Sequence, residues 1–163
     1  MTKFKTFLEN EDMPIFLMTI GIPGSGKSTW LKKQTGFEIV CPDDIRKELT
    51  GNISDQSQNA KVWQLASDHV IAHLKNGKNV ILDATNVNSK SRKQFIEKIP
   101  KDIKYRKQAK IFTVSPEEAK KRIKKDIESG VDRSNVPDDV IDRMFQQFTH
   151  TISNLEQEGF QII

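Results

Sequence analysis

The sequence predicts an α/β fold, a mostly parallel five-stranded sheet covered by helices, and three observations predict it. Short apolar runs recur along the chain, at 14–20, 37–40, 79–82, within 103–114 and at 160–163. Between them lie stretches with apolar residues at helical spacing or with helix start and stop signals. The run at 79–82 is short and uniformly apolar, as strands buried on both faces tend to be, and strands alternating with helices pair in parallel.

Taken in order, residues 1–13 mix Lys3, Phe4, Lys5, Phe7 and Leu8 with acids and read as an N-terminal extension, either a short outer helix or a loose lead-in. Pro14 to Ile20 is the first strand. After a glycine-rich loop, Thr29 to Gln34 continues as a helix ending near Gly36. Phe37 to Val40 forms the second strand, and Pro42-Asp43-Asp44 opens a short helix through Leu49, with one of the two acids expected to cap it. Val62, Trp63, Ala66, Val70, Ile71 and Leu74 give Gln58 to Asn76 a helical stripe, stopped at Gly77.

Asn79 to Leu82 is the third strand and ends on Asp83. A helix from about Ser89 to Ile99 follows, stopped by Pro100, and the fourth strand lies between Ile103 and Val114. Ser115-Pro116-Glu117-Glu118 is a capping-box start for a lysine-rich helix that should stop at Gly130. Pro137 starts the last helix, whose face of Ile141, Met144, Phe145, Phe148, Ile152 and Leu155 is expected to run to Gly159, before a closing strand at 160–163.

A length of 163 residues fits one domain, expected over 14–163. With 36% hydrophobic and 29% charged residues and a mean hydropathy of −0.58, the composition is that of a soluble globular chain without a membrane span. Glu9, Glu11 and Asp12 precede the first apolar run where a signal peptide would be basic, so a cytoplasmic location is expected, or the host cytoplasm if the chain is viral. The single Cys41 agrees with a reducing compartment and reads as a small strand-end residue rather than a nucleophile. A net charge of +4 is compatible with a polyanionic substrate without requiring one, and an oligomer is compatible with the chain as well.

Gly21-Ile22-Pro23-Gly24-Ser25-Gly26-Lys27-Ser28-Thr29 fills every fixed position of G-x-x-x-x-G-K-[ST] and sits between a strand and a helix, where that pattern works. The glycines let backbone N–H groups turn toward an anion, and the helix adds the positive end of its dipole. The segment from Pro23 to Thr29 is thus expected to bind ATP or another nucleoside triphosphate, with Lys27 bridging the β- and γ-phosphates and the Ser28 hydroxyl ligating Mg²⁺.

In parallel sheets the working groups lie beyond the carboxyl ends of the strands, so Asp43 and Asp83 both project toward the phosphate loop. Asp83 after Val-Ile-Leu has the place of a carboxylate that serves the magnesium shell, or of a turn cap. A carboxylate such as Asp43 could take a proton from an attacking hydroxyl. Arg46, one helical turn on, could grip an acceptor phosphate or form a surface ion pair. Arg122 and Arg133 flank the polar stretch before the last helix, from which a lid over about 120–137 could close and neutralise charge on a transferring phosphoryl group. His69 and His73 stand at metal-binding spacing, but no third ligand is evident and packed or surface roles are favoured.

These residues, in this order, resemble the 5′-kinase domain of the phage polynucleotide kinase family of P-loop kinases. The similar segments are residues 21–30, Asp43-Asp44-Ile45-Arg46, Asp83-Ala84-Thr85-Asn86 with Arg92, and Val136-Pro137 leading to Val140, Ile141 and Met144, together spanning about 13–150. The resemblance implies a P-loop kinase-type three-layer α/β sandwich with a helical lid. It also implies Asp43 as general base toward a 5′-hydroxyl, Arg46 as contact to the acceptor's 3′-phosphate, Arg92 as a further substrate contact, and Arg122 and Arg133 as lid arginines. ATP, Mg²⁺ and a nucleic acid 5′-hydroxyl end are the implied cofactors and partner. No phosphatase domain is expected, since no Asp-x-Asp-x-Thr motif is present.

Two other readings use the same loop. One is a kinase of a small hydroxyl compound, such as a nucleoside, sugar, antibiotic or nucleotide-sugar, as in zeta-type toxins. The other is a nucleotide-dependent switch that transfers phosphate only to water, against which Asp43 with Arg46 suits a hydroxyl acceptor.

Overall fold

The structure is a computed structural model that describes residues 12–163. Apart from its last two residues, the expected extension at 1–13 lies outside the described residues. The strands are β1 (Ile15–Ile20), β2 (Glu38–Val40), β3 (Val80–Leu82), β4 (Arg106–Ile111) and β5 (Gln161–Ile162). The helices are α1 (Lys27–Leu31), α2 (Pro42–Thr50), α3 (Asn59–Lys75), α4 (Ser89–Glu97), α5 (Pro116–Glu128) and α6 (Asp138–Thr151), with a 3₁₀ turn at Ile152–Asn154.

The sheet runs in the order β2-β3-β1-β4-β5, and every pairing is parallel. Strand β1 sits in the middle, so its carboxyl end, where the phosphate loop begins, opens at the centre of the sheet edge. Val40 pairs with Leu82 and Leu82 with Met18, which brings the chain after β2 and the chain after β3 to the same edge as that loop.

Side chains alternate along the strands as a pleat requires. Phe16, Met18 and Ile20 of β1 and Val80 and Leu82 of β3 face a large cluster built with Val62, Ala66 and Val70 of α3, Phe95 of α4, Ile123 of α5 and Ile141 and Phe148 of α6. Leu17 and Ile81 face the other way, toward Leu31 of α1, Trp30 and Phe37. The helical layers are therefore unequal among the described residues, with α1 alone on the second face. Phe16 stacks on Phe95 at 5.9 Å between ring centroids, and Trp63 meets Phe95 edge-on at 6.2 Å, joining α3 and α4 over β1. Truncating Phe16 to alanine would remove that hub, at a cost of roughly 3–5 kcal/mol.

Three local expectations change. Neither Asp43 nor Asp44 caps α2: Cys41 is the N-cap residue and no side chain accepts there, so the two acids act only through the helix dipole and Pro42 supplies the preset φ. Helix α1 is shorter than expected, closing at Leu31 with the Gln34 side chain donating to the Trp30 carbonyl at 3.1 Å. Helix α6 stops at Thr151 instead of running to Gly159. The Thr151 carbonyl accepts from Arg92 Nη2 at 3.2 Å, and the Leu155 N–H turns to Ile152 in the 3₁₀ manner. At α5 the expected start holds, with the Glu118 N–H donating to Ser115 Oγ at 3.2 Å.

Candidate active site

The phosphate loop leaves β1 through Gly21, whose N–H donates to the Thr85 carbonyl at 3.0 Å, so the loops after β1 and β3 are tied at their roots. Two glycines shape the cradle. Gly24 has φ +78, and a Cβ there would lie 2.8 Å from the Ala119 carbonyl oxygen, so the loop rests directly on the first turn of α5. Gly26 has φ +99 with nothing within 4 Å of such a Cβ, which leaves that side of the cradle open at the N-terminus of α1. A left-handed glycine followed by a helix start presents consecutive N–H groups to an anion. The exposed hydroxyls of Ser28 and Thr29 stand at the same mouth.

The Lys27 ammonium donates to the carbonyls of Gly21 at 2.8 Å and Ile22 at 2.9 Å and to Ser25 Oγ at 3.4 Å. Burial pushes it down to about 8; the charges of Asp83 and Asp43 oppose that shift and Arg133 adds to it. Carboxylates following β2 and β3 and a cation from the α5–α6 connection therefore act on this one lysine.

Asp83 is half-buried, its N–H donating to the Val40 carbonyl at 2.9 Å. Burial and then the nearby Asp43 raise its carboxyl above the ordinary range, while Lys27 lowers it. A hard carboxylate whose charge acts on Lys27, with the exposed Ser28 hydroxyl next along the chain from that lysine, is a donor set suited to Mg²⁺ with its waters, and the glycine cradle suits a polyphosphate, so the residues present fit a magnesium-bound nucleotide. Cys41, packed against Asp83, has its thiol pushed up to about 12 by burial and that carboxylate, which rules it out as a nucleophile at neutral pH.

Asp43 lies in the first turn of α2 with its side chain 51% exposed, ion-paired to Nη1 of Arg46. The Arg46 side chain is buried, donates from Nη2 to Asn59 Oδ1 at 3.1 Å, and has its buried Nε without a partner. This arginine is no surface ion pair; it is held inside by α3 and presents one end of its guanidinium to Asp43. Sequence reasoning missed Asn59. It opens α3, and no local pattern links it to an arginine 13 residues earlier.

Arg122 extends from α5 to the loop, with Nη1 3.3 Å from the Gly24 carbonyl and Nε on Glu118 at 2.9 Å. Arg133 pairs with Asp126, and its Nε is buried without a partner. The segment carrying it touches α2 and its following loop through the Lys47–Asp132 ion pair and a 3.5 Å approach of the Ser54 and Ser134 hydroxyls.

Arg92 does not join this group. It is fully buried, forks onto both Glu158 oxygens at 2.7 and 2.8 Å, and donates to the Asn86 carbonyl at 2.8 Å. With every N–H directed at protein acceptors, it has none to offer a substrate, which corrects the expectation of a substrate contact. His69 is exposed and His73 partly so, and no group of three His, Cys, Asp or Glu among the described residues could hold a metal. No described helix is long and apolar enough to cross a membrane.

Comparison with known proteins fits this geometry. A family model described as an AAA domain matches residues 16–151. A proposed bifunctional polynucleotide kinase/RNA ligase of Autographa californica nuclear polyhedrosis virus is 29% identical over 89 residues, covering 46% of this chain and 13% of the viral protein. A chain in the structure of the Pnkp1/Rnl/Hen1 RNA repair complex superposes with a TM-score of 0.75 at 27% identity, over 87% of this chain and 46% of that one. This chain therefore spans less than half the length of either relative. A structure from the PezAT chromosomal toxin-antitoxin system of Streptococcus pneumoniae shares the fold, with a TM-score of 0.62 at 17% identity over 98% of this chain and 73% of that one.

Proposed function

The chain belongs to the AAA-domain family and has the α/β fold of P-loop kinases, and on that footing we propose that it transfers the γ-phosphate of ATP to the 5′-hydroxyl end of a polynucleotide, RNA or DNA. The observation that carries this reading is the meeting of Asp43, held by Arg46, with Lys27 and Asp83 at one sheet edge. A water-directed switch needs no carboxylate held in this way beside the cradle. A hydroxyl kinase does.

In this reading the loop from Pro23 to Thr29 receives the triphosphate, and Ser28 and Asp83 would hold Mg²⁺, which would supply neutralising positive charge to the phosphates. Asp43 accepts the proton of the 5′-hydroxyl as its oxygen bonds to the γ-phosphorus. The bond from that phosphorus to the bridging oxygen breaks and ADP leaves. Lys27 and Arg122 sit where negative charge accumulates, with Arg133 close behind. Arg46 orients Asp43, and its buried, unpartnered Nε is the donor it has left for an acceptor phosphate. The choice of a polynucleotide acceptor is supported by the viral relative named as a polynucleotide kinase and by the likeness to a chain of an RNA repair complex. A cytoplasmic site of action goes with this reading.

One observation favours a second acceptor class. The contacts Lys47–Asp132 and Ser54–Ser134 join the α5–α6 connection to α2, one helical turn from Asp43, and to its following loop, and a bridge so near Asp43 suits a small hydroxyl compound. Incubation with γ-labelled ATP and a 5′-hydroxyl oligonucleotide, beside a 5′-phosphorylated control, tests the two. Label on the hydroxyl oligonucleotide alone is the expected result. Absence of label from both, with nucleotide still bound, sinks the polynucleotide reading.

A further inference from the structure

The buried cluster around Arg92 lies outside the reacting groups, yet it is connected to them bond by bond. Asn86 has φ +47, the single non-glycine residue with positive φ among those described. Asparagine tolerates that conformation better than most residues but does not seek it, so something must hold it there. Its side-chain Nδ2 donates to the Thr19 carbonyl at 2.8 Å, at the end of β1, and its own carbonyl accepts from Arg92 at 2.8 Å. Between Asp83 and Asn86 the loop is stitched to β1 twice more, through Thr19 Oγ1 to the Ala84 carbonyl at 3.0 Å and Gly21 N–H to the Thr85 carbonyl at 3.0 Å.

Arg92 is fixed in turn from the far end of the chain. Glu158 accepts from it with both oxygens, the Thr151 carbonyl and hydroxyl take its remaining N–H groups, and Ser89 and Lys107 bind Glu158. A fully satisfied buried ion pair of this kind fixes one arrangement, whereas removing one partner leaves an uncompensated charge.

Resting on the kinase reading above, we propose that Arg92 and Glu158 are positioning residues that hold the Asp83–Asn86 loop against the phosphate loop, and thereby set how tightly magnesium-bound nucleotide is held. Asp83 begins this loop and Asn86 ends it, so a shift at Asn86 moves the carboxylate relative to Lys27 and the phosphate loop that carries it. Neither Arg92 nor Glu158 touches nucleotide or acceptor. Their influence falls mainly on the magnesium-dependent part of binding, since the phosphate loop keeps its own support on α5 through Gly24 and Arg122.

The test is nucleotide binding followed by tryptophan fluorescence, with ATP in Mg²⁺ and ATP in EDTA, on the parent, Glu158→Gln, Asn86→Gly and Asp83→Asn. Trp30 stands three residues after Lys27 and reports the site. Asn86→Gly keeps the positive φ free of strain while deleting the bond to Thr19, so it tests the loop without disturbing the buried pair. Both Glu158→Gln and Asn86→Gly should cut the affinity gained from Mg²⁺ by about tenfold, as loss of an outer-layer support does, and change the EDTA affinity by less than about twofold. Glu158→Gln added to Asp83→Asn should cost no further magnesium-dependent affinity.

A Glu158→Gln protein that melts earlier but keeps the full gain from Mg²⁺ overturns the proposal and makes the pair a structural clamp only. A change confined to the acceptor KM overturns it in favour of substrate contact. A parent that binds no ATP at all fails the kinase reading itself, a result distinct from either.

Discussion

Arg122 places Nη1 3.3 Å from the carbonyl oxygen of Gly24, spanning 98 residues of sequence to tie α5 to the phosphate loop. A carbonyl is a weak partner for a guanidinium, and the side chain remains 48% exposed. The arm is therefore free to exchange that oxygen for one of a phosphate, where the charge-assisted bond is stronger. Arg122→Ala should lower phosphoryl transfer by about a hundredfold while changing ATP affinity much less, since the contact matters most as charge shifts in the transition state. Steady-state kcat beside an equilibrium ATP titration separates the two. An equal loss in both would make Arg122 a ground-state contact.

Asp43 should behave differently. Its side chain is 51% exposed, and Arg46 holds one of its oxygens, which in the proposed reaction leaves the other for a hydroxyl. Asp43→Asn keeps the shape and removes the base, so transfer should fall on the order of a hundredfold or more with ATP binding retained. Asn59→Ala acts one step back by releasing Arg46, and a smaller loss of about tenfold is expected for it. Unchanged turnover in Asp43→Asn would remove the hydroxyl kinase mechanism and leave a nucleotide-dependent switch.

The Lys27 ammonium gives a pH dependence whose sign follows from its environment. Its folded value of about 8 lies below the ordinary 10.5 because burial disfavours the charged form. Triphosphate brings negative charge to that ammonium and must raise its pKa, so binding takes up protons around pH 8 and above. Affinity should be greatest below about 8 and weaken as pH rises through it. Calorimetry in buffers of different ionisation enthalpy reads the proton uptake, and Lys27→Ala should abolish it. A binding constant flat from pH 7 to about 9 contradicts the assignment.

Much of this was legible because its signals are local. The strand positions, the Ser115 cap, the phosphate loop and the i, i+3 pairing of Asp43 with Arg46 all come from residues a few positions apart, and parallel pairing follows from their alternation. What escaped depends on distant partners. Arg92 stood in a motif-like stretch, and only Glu158, 66 residues on, shows that its donors are already engaged. Asn59 opens a helix like any other residue until α2 and α3 pack. The early end of α6 has the same origin, because a tertiary bond to the Thr151 carbonyl outcompeted a helical apolar face.

The two cradle glycines allow a last comparison, because they share positive φ but differ in surroundings. Alanine at Gly26 would pay only for its φ of +99, having no neighbour within 4 Å, and a cost of about 1–2 kcal/mol is expected. Alanine at Gly24 meets the same kind of strain at φ +78, and in addition its Cβ would lie 2.8 Å from the Ala119 carbonyl oxygen. That atom is helix backbone and cannot rotate away, so α5 must move or the loop must shift, adding roughly 1–3 kcal/mol. Either movement breaks the approach of Arg122 to Gly24. Denaturant unfolding should rank Gly24→Ala below Gly26→Ala in stability, and Gly24→Ala should also lose phosphoryl transfer beyond its loss of folded protein. The reverse order would mean that the loop does not rest on α5 in solution.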